Sequence, residues 1–247
     1  MNIFFHTNSH KIFFYLFIFT FILQIFFWTK SKEIKPQYDL LPNLPTTYLT
    51  EAMSFGDKEF LFRILANRLQ NSGDVFAGFV ALKNYDYKKL YQWFTLLDNL
   101  NKKSHFTPAL AAYYYGNTQN KKDTIYVVKY LEEHSMKDLN HNWWWLYQAI
   151  YLATNALHDK NLALDLSYKL SRNTAQTAPL WTKQMPAFIH AKYGESCMAF
   201  KIIQNMINEH TLNKRQFSAS EMDFMRFFIN DRLSKLKNKN FNLKNCQ

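Results

Sequence analysis

Two stretches decide how this chain is read: NHNWWWLYQAIYLATNALHDKNLAL, residues 140–164, and QTAPLWTKQMPAFIHAKYGESCMAF, residues 176–200. Overlaid with a shift of 36 positions, Trp145 meets Trp181, Gln148 meets Gln184 and Ala163 meets Ala199. Apolar partners stay in phase, Ala149 with Met185 and Ala153 with Ile189, then Leu166 with Ile202 and Leu170 with Met206. Within each stretch apolar residues recur at three- and four-residue spacing, the period of a helix. A short polar stop follows (LHDKNLAL against YGESCMAF), and then a second helix that brings a small Ala to the crossing. The reading is two helical hairpins repeated in sequence, each needing a neighbour to cover its apolar faces.

Three adjacent tryptophans, Trp143, Trp144 and Trp145, open the first hairpin. Successive side chains on a helix diverge by about 100°, so the three cannot form one stacking platform. A helix inside a stack of hairpins has neighbours on several sides. The expectation is that Trp144 packs inward with Trp143 and Trp145 flanking it, and that Trp145 and Trp181 face a shared groove. Tyr113–Tyr115 poses the same problem one hairpin earlier. A membrane belt explains the triplet less well, because it lies far in sequence from the apolar N-terminus.

Outward from this pair the helical period continues. Gly56-Asp57 starts a helix whose inner face is expected to carry Phe60, Ile64, Leu65 and Leu69 and which stops near Gly73. Asp74 is read as the cap of a shorter helix through Leu82, and Asp86 as the cap of YKKLYQWFTLLDNL with Leu90, Phe94 and Leu97 on one face. Pro108 suits the first turn of PALAAYYYG, and Asp123 opens TIYVVKYLEEH. Helices are expected over 142–157, 160–171, 179–193 and 195–209, and Ser218-x-x-Glu221 is a capping-box pattern before a last one. Few Gly (5) and Pro (6) in 247 residues disfavour a turn-dense sheet protein, so the fold class is all-α.

The N-terminus differs. IFFYLFIFTFILQIFFW, residues 12–28, carries no charge and reaches roughly 25 Å as a helix, close to the thickness of a thinned bilayer. Trp28 and Lys30 close it where an amphipathic ring and a cation meet the headgroups. The following TKSKEIKPQYDL lacks the small residues of a cleavage site, which favours a retained anchor over a cleaved signal peptide. Lys11 on one flank against Lys30, Lys32 and Lys35 on the other leaves sidedness open. The organisation is therefore an N-terminal tail (1–11), an anchor (12–28), a Pro-containing linker (29–50), a helical domain (51–237) and a basic tail (238–247).

The net charge of +11 is concentrated at the ends: +3 in residues 1–36 and +5 in residues 213–247, against +3 for the whole body between. Lys outnumbers Arg 24 to 6, and Arg carries the planar fork suited to phosphates and bases, so nucleic acid is disfavoured as a partner. Cys197 and Cys246 form no metal or redox motif; Cys197 reads as a small buried apolar residue. No phosphate loop, dinucleotide turn, nucleophile elbow or His-Glu-x-x-His motif occurs. His134 and His210 follow glutamates and are read as helix C-terminal cations, His190 as a satisfied structural histidine. Asp57, Asp86 and Asp98 are read as caps or solvated residues. No cofactor and no catalytic residue is assigned.

The repeated hairpin resembles the tetratricopeptide repeat, a helix–turn–helix unit of about 34 residues; Gly194 and Ala199 stand five apart, as the Gly and Ala of that motif do around its turn. The resemblance is carried by residues 107–209 and departs from the pattern near Asp159, where the Gly is missing. On YDYKKLYQWFTLLDNL and WWWLYQAIYLA the body is also similar to a family of small bacterial proteins with one membrane anchor and a tetratricopeptide-like domain. That family has no assigned chemistry, and the resemblance implies a single-pass protein of a bacterial inner membrane. The expected architecture is a TPR-like α-solenoid of helical hairpins preceded by one transmembrane helix. The expected function is a membrane-anchored scaffold that holds a protein or peptide partner in a groove lined by Trp145, Gln148, Trp181, Gln184 and Lys192. The alternative is a helical enzyme or cofactor-holding domain whose site is assembled from scattered His, Tyr and Asp residues.

Overall fold

Asp57 begins the body's first long helix by accepting a hydrogen bond from the Phe60 amide at 2.9 Å, satisfying one of the donors that every helix start leaves open. The same device recurs along the computed structural model, which describes residues 4–31, 40–75, 78–173, 178–212 and 216–233. Two units are present, residues 1–39 and 40–247.

In the first unit, α1 (Phe4–Ser31) is one continuous helix. Its stretch His10–Ser31 is long and apolar enough to cross a membrane, and none of it is buried. The helix starts within the tail expected over 1–11. Thr20 keeps its hydroxyl satisfied by donating to the carbonyls of Leu16 and Phe17, so the one hydroxyl in the middle of the span is not left bare.

The second unit is all-helical apart from one short ladder. Its helices are α2 (Thr47–Ser54), α3 (Lys58–Gln70), α4 (Tyr87–Leu100), α5 (Phe106–Ala109), α6 (Thr124–Lys137), α7 (Leu139–Asn155), α8 (Lys160–Ser171), α9 (Trp181–Lys192), α10 (Ser196–Thr211) and α11 (Ala219–Phe227). α2 lies partly inside the expected linker, whose residues 32–39 fall outside the described residues, as does the basic tail 238–247. Asp86 and Asp159 cap α4 and α8 as Asp57 caps α3, and Ser218 with Glu221 closes a complete capping box on α11.

Consecutive helices pack against each other from α6 to α10, and α4 packs directly against α6. The helices α4, α6, α8 and α10 begin at residues 87, 124, 160 and 196, which are 37, 36 and 36 positions apart. Ala163 and Ala199 are both fully buried, where a larger side chain would hold the paired backbones apart. One core runs from α3 to α9; a second, holding Phe200, Ile203, Met225 and Phe228, joins α9 and α10 to α11 and the π-helical turn after it. Cys197 is half-buried against this second core rather than fully inside it.

Several local expectations are corrected. The helix expected from Asp74 through Leu82 is replaced, among the described residues, by β1 (Asp74–Val75) and β2 (Gly78–Phe79), which pair antiparallel with Asp74 opposite Phe79, and by a 3-10 turn from Leu82. Gly73 turns the chain there at φ +87°, and the Tyr85 hydroxyl, which donates to the Ser72 carbonyl, occupies the space a Cβ on Gly73 would need. On α3 the buried face is Leu61, Phe62, Leu65, Ala66 and Leu69, whereas Phe60 and Ile64 are exposed. PALAAYYYG is not one regular helix: α5 opens into a π-helical turn, Leu110–Tyr114, and then a 3-10 turn, Tyr115–Asn117. That widening buries Tyr115 completely while leaving Tyr113 and Tyr114 exposed. α9 starts at Trp181 instead of Pro179, whose carbonyl accepts the Thr182 amide ahead of it.

Ala163→Leu and Ala199→Leu should each lower the unfolding free energy by about 1–3 kcal/mol, the usual cost of overpacking. Urea unfolding followed by circular dichroism reads this; an unchanged midpoint for either variant would show that the helices do not meet closely there.

Candidate binding groove

α7 carries an outward line of residues at three- and four-residue spacing: Trp144, Tyr151 and Asn155 are exposed and Tyr147 between them is half-buried, while Leu146, Ala149, Ile150 and Ala153 on the opposite side are buried. The aromatic line therefore faces outward because the apolar line behind it is taken by the core. α9 continues the surface: Trp181 lies edge-on to Tyr147 at 4.9 Å and to Trp143 at 5.7 Å between ring centroids. Phe188 then packs against Phe228 at 5.3 Å.

Between α7, α9 and the turn carrying Phe228 lies a groove of about 440 Å³. Tyr147, Tyr151, Met185, Phe188 and Phe228 supply its apolar walls; Asn155 and Lys192 stand at one end, hydrogen-bonded to each other. A shallower depression of about 350 Å³ is lined by Trp181, Gln184, Glu221 and Phe224. Of the five residues expected to form one groove, Lys192 lines the larger cavity, and Trp181 and Gln184 line the smaller one. Gln184 contributes little accessible surface, being 1% exposed. Gln148 is half-buried and lines neither.

Trp145 is not a groove residue. It is buried against α5, its indole N–H donating to His105 Nδ1 at 3.0 Å and its ring edge-on to Tyr113. Trp144, expected to pack inward, is the exposed member of the triplet and donates to the Tyr113 hydroxyl at 2.7 Å. The shift of 36 preserves helix identity but not surroundings here: Trp145 meets His105 and Tyr113, whereas Trp181 meets Trp143 and Tyr147. The groove residues Tyr151, Phe188 and Phe228 were not singled out in the sequence; the outward spacing of Tyr147 and Tyr151 on α7 was the available signal.

A second constellation is buried. Asp98, near the end of α4, is 1% exposed and is held by three groups of α6: His134 Nδ1 at 2.8 Å, the Tyr130 hydroxyl at 2.8 Å and Lys137 Nζ at 3.0 Å. Asp98 is thus neither a solvated residue nor a cap, and His134, also 1% exposed, is not a helix-end cation in solvent. Burial alone pushes the Asp98 carboxyl up, and it is the largest single influence. The hydrogen bond and charge of His134, with the bonds from Lys137 and Tyr130, together outweigh it and hold the carboxyl below its ordinary value. None of these four residues lines a described cavity.

His190 is satisfied on both ring nitrogens, by Glu195 at 2.6 Å and the Tyr168 hydroxyl at 3.0 Å, as a structural histidine should be. Lys160 and His190 hold the Glu195 carboxyl below its ordinary value. His210 accepts the Phe217 amide at 3.0 Å and stacks on its ring. Among the described residues no group of three His, Cys, Asp or Glu side chains is placed to hold a metal ion. Comparison with family models, with curated proteins and with solved structures finds no match.

Asp98→Ala should cost about 3–5 kcal/mol at neutral pH, because it leaves the buried His134 and Tyr130 without the acceptor both share. Since the folded carboxyl titrates below the unfolded one, its contribution is complete above about pH 4 and is lost as pH falls through the folded value. Urea midpoints between about pH 5 and 2 should therefore drop more steeply in the wild type than in Asp98→Asn; parallel curves would remove Asp98 from the acid sensitivity. Trp145→Ala should cost about 3–5 kcal/mol, as loss of a buried indole does. Trp181→Ala, half-exposed, should cost clearly less, and equal losses would contradict the burial difference.

Proposed function

We propose that this chain is a single-pass membrane protein that presents a TPR-like stack of helical hairpins as a docking surface for a protein partner. α1 supports the anchor: it is long and apolar enough to span, with Trp28 and Lys30 at its end. The 36- and 37-residue spacing of α4, α6, α8 and α10 supports the repeat.

Side-chain bonds at about one repeat's separation support it further. Asp98 to His134 spans 36 positions, Glu132 to Lys169 spans 37 and Lys160 to Glu195 spans 35. A translational stack places equivalent positions of neighbouring units side by side, and such bonds follow from that placement.

The observation that carries the binding role is the open groove between α7 and α9. Its aromatic walls supply area that a partner can bury, and aromatic rings are the commonest anchors of binding energy. Lys192 at one end suits a carboxylate, and the Asn155 amide suits a partner's backbone. The occupant fitting this chemistry is a short apolar segment of a protein, helical or extended, carrying an acidic residue. A catalytic role has less support, because the groove is lined by a single cationic side chain and no carboxylate or histidine.

Sodium carbonate extraction should leave the full-length chain in the membrane pellet, and its release would overturn the anchor. A photo-crosslinking residue at Tyr151 should capture a discrete protein in intact membranes. The same residue at Met198, exposed on α10 and outside the groove, should not. Capture in which Lys192→Glu and Phe188→Ser leave the yield at Tyr151 unchanged would dismiss the groove.

A further inference from the structure

α2 is turned the wrong way for a helix in water. Its buried residues are both polar, Thr50 and Ser54, which satisfy their hydroxyls on the carbonyls of Thr46 and Glu51. Its apolar residues face out: Tyr48 is 82% exposed, and Leu49, Ala52 and Met53 are exposed beside it. At about 100° per residue these four fall within one arc of roughly 140°, opposite Thr50 and Ser54.

The chain then leaves α2 through Phe55, which is 93% exposed and sits at φ 47°, a left-handed conformation where a bulky side chain is an outlier. Neither core explains a phenyl ring there. Phe60 and Ile64, one turn apart on α3, add two more exposed apolar side chains, so six large ones gather within 17 consecutive residues. Soluble proteins rarely leave an apolar concentration of this kind in water.

We infer that the α2–α3 apolar face inserts into the headgroup region of the bilayer that α1 crosses; the inference rests on the anchor reading above. The length of chain between them supports this occupant. α1 ends at Ser31 and α2 begins at Thr47, and a chain of this length spans at most about 55 Å. A short tether of this kind raises the effective concentration of the face at the lipid surface to the order of millimolar.

Composition supports it too. Tyr and Phe, with Leu and Met between them, are the residues that settle at the level of the headgroups. The intervening sequence carries Lys32 and Lys35 against Glu33, following Lys30, a net cationic stretch that suits lipid phosphates.

The test uses the full-length chain, one copy per nanodisc of mixed phosphatidylcholine and phosphatidylglycerol, with hydroxyl-radical footprinting read residue by residue. Tyr48 is more exposed than Tyr113 at 51% or Tyr151 at 53%, so in water it must oxidise fastest of the three. Insertion reverses the order: Tyr48 should oxidise at least about three-fold more slowly than either. Leu49→Ser together with Phe55→Ser, two exposed substitutions that leave the core intact, should restore the aqueous order.

Retention in the disc with Tyr48 oxidising as fast as Tyr151 or faster overturns the lipid contact while leaving the anchor standing. A chain that separates from the disc overturns the anchor and this inference with it. Protection of Tyr48 that appears only with two copies per disc overturns the lipid contact in favour of pairing between copies.

Discussion

Everything in the body depends on how closely two backbones approach at the hairpin crossings. Ala163 on α8 and Ala199 on α10 are completely buried, and Ala149 and Ala153 on α7 are likewise shut off from solvent. Small residues at these points let helices of ordinary length lie against each other without a gap, so that Leu146, Ile150, Leu166 and Leu170 can fill the space on either side. A hairpin built this way still has an apolar flank, and only the next hairpin covers it. The groove follows from this arrangement. Once α7 has turned Leu146, Ala149 and Ile150 toward its neighbours, the remaining side of the helix must face outward, and on that side the sequence has placed rings.

Polar groups order the stack where apolar packing is permissive. An apolar flank tolerates sliding and rotation, because any well-filled contact is nearly as good as another. A buried carboxylate does not. Asp98 has a cost of burial that only His134, Tyr130 and Lys137 offset, and those three meet it at a single setting of α6 against α4. Glu195 stands in a comparable relation to His190 on α9 and Lys160 on α8, with Tyr168 completing the chain of hydrogen bonds, but at a more exposed site. The same four chemical types thus occur at both ends of the hairpin array. The buried set penalises misplacement strongly and the exposed set only weakly, since water screens the second.

Much of the fold was legible because caps and periods are local properties. Asp57, Asp86 and Ser218 each announced a helix start that the structure contains, and the spacing of Leu90, Phe94 and Leu97 named the buried face of α4. What escaped was set by neighbours. Asp74–Val75 pair with Gly78–Phe79, and Tyr85 fills the space beside Gly73 just ahead of them, a contact at a distance that no local pattern encodes. Asp98 looked like a surface residue at a helix end, and only the arrival of α6 makes it a buried acceptor. Of the residues assigned to one groove, Lys192 lines the cavity between α7 and α9, whereas Trp145 is buried against His105 and Tyr113. The three tryptophans are alike in sequence. Which of them is buried depends on the π-helical turn at Leu110–Tyr114, and with it on the position of His105 and Tyr113.

The error on α3 and the inverted face of α2 have one physical origin. Periodicity identifies an apolar stripe without saying what covers it, and the usual assumption is that the protein's own core does so. On α3 two stripes overlap, Leu61–Leu65–Leu69 and Phe60–Ile64, and only the first is covered by α4. On α2 the apolar arc is uncovered altogether and the polar arc is inside. Two helices in succession failing in the same direction, toward apolar exposure, is not a random lapse of packing. Exposure of Tyr48, Leu49, Phe55 and Phe60 would favour aggregation in a freely diffusing domain, and a sequence that kept them in water would gain stability and solubility from almost any polar replacement. At a lipid surface, by contrast, headgroups and acyl chains replace bulk water, and an aromatic side chain on the outside lowers the free energy there just as one on the inside does elsewhere, which is the constraint that the lipid contact proposed for α2 and α3 would answer.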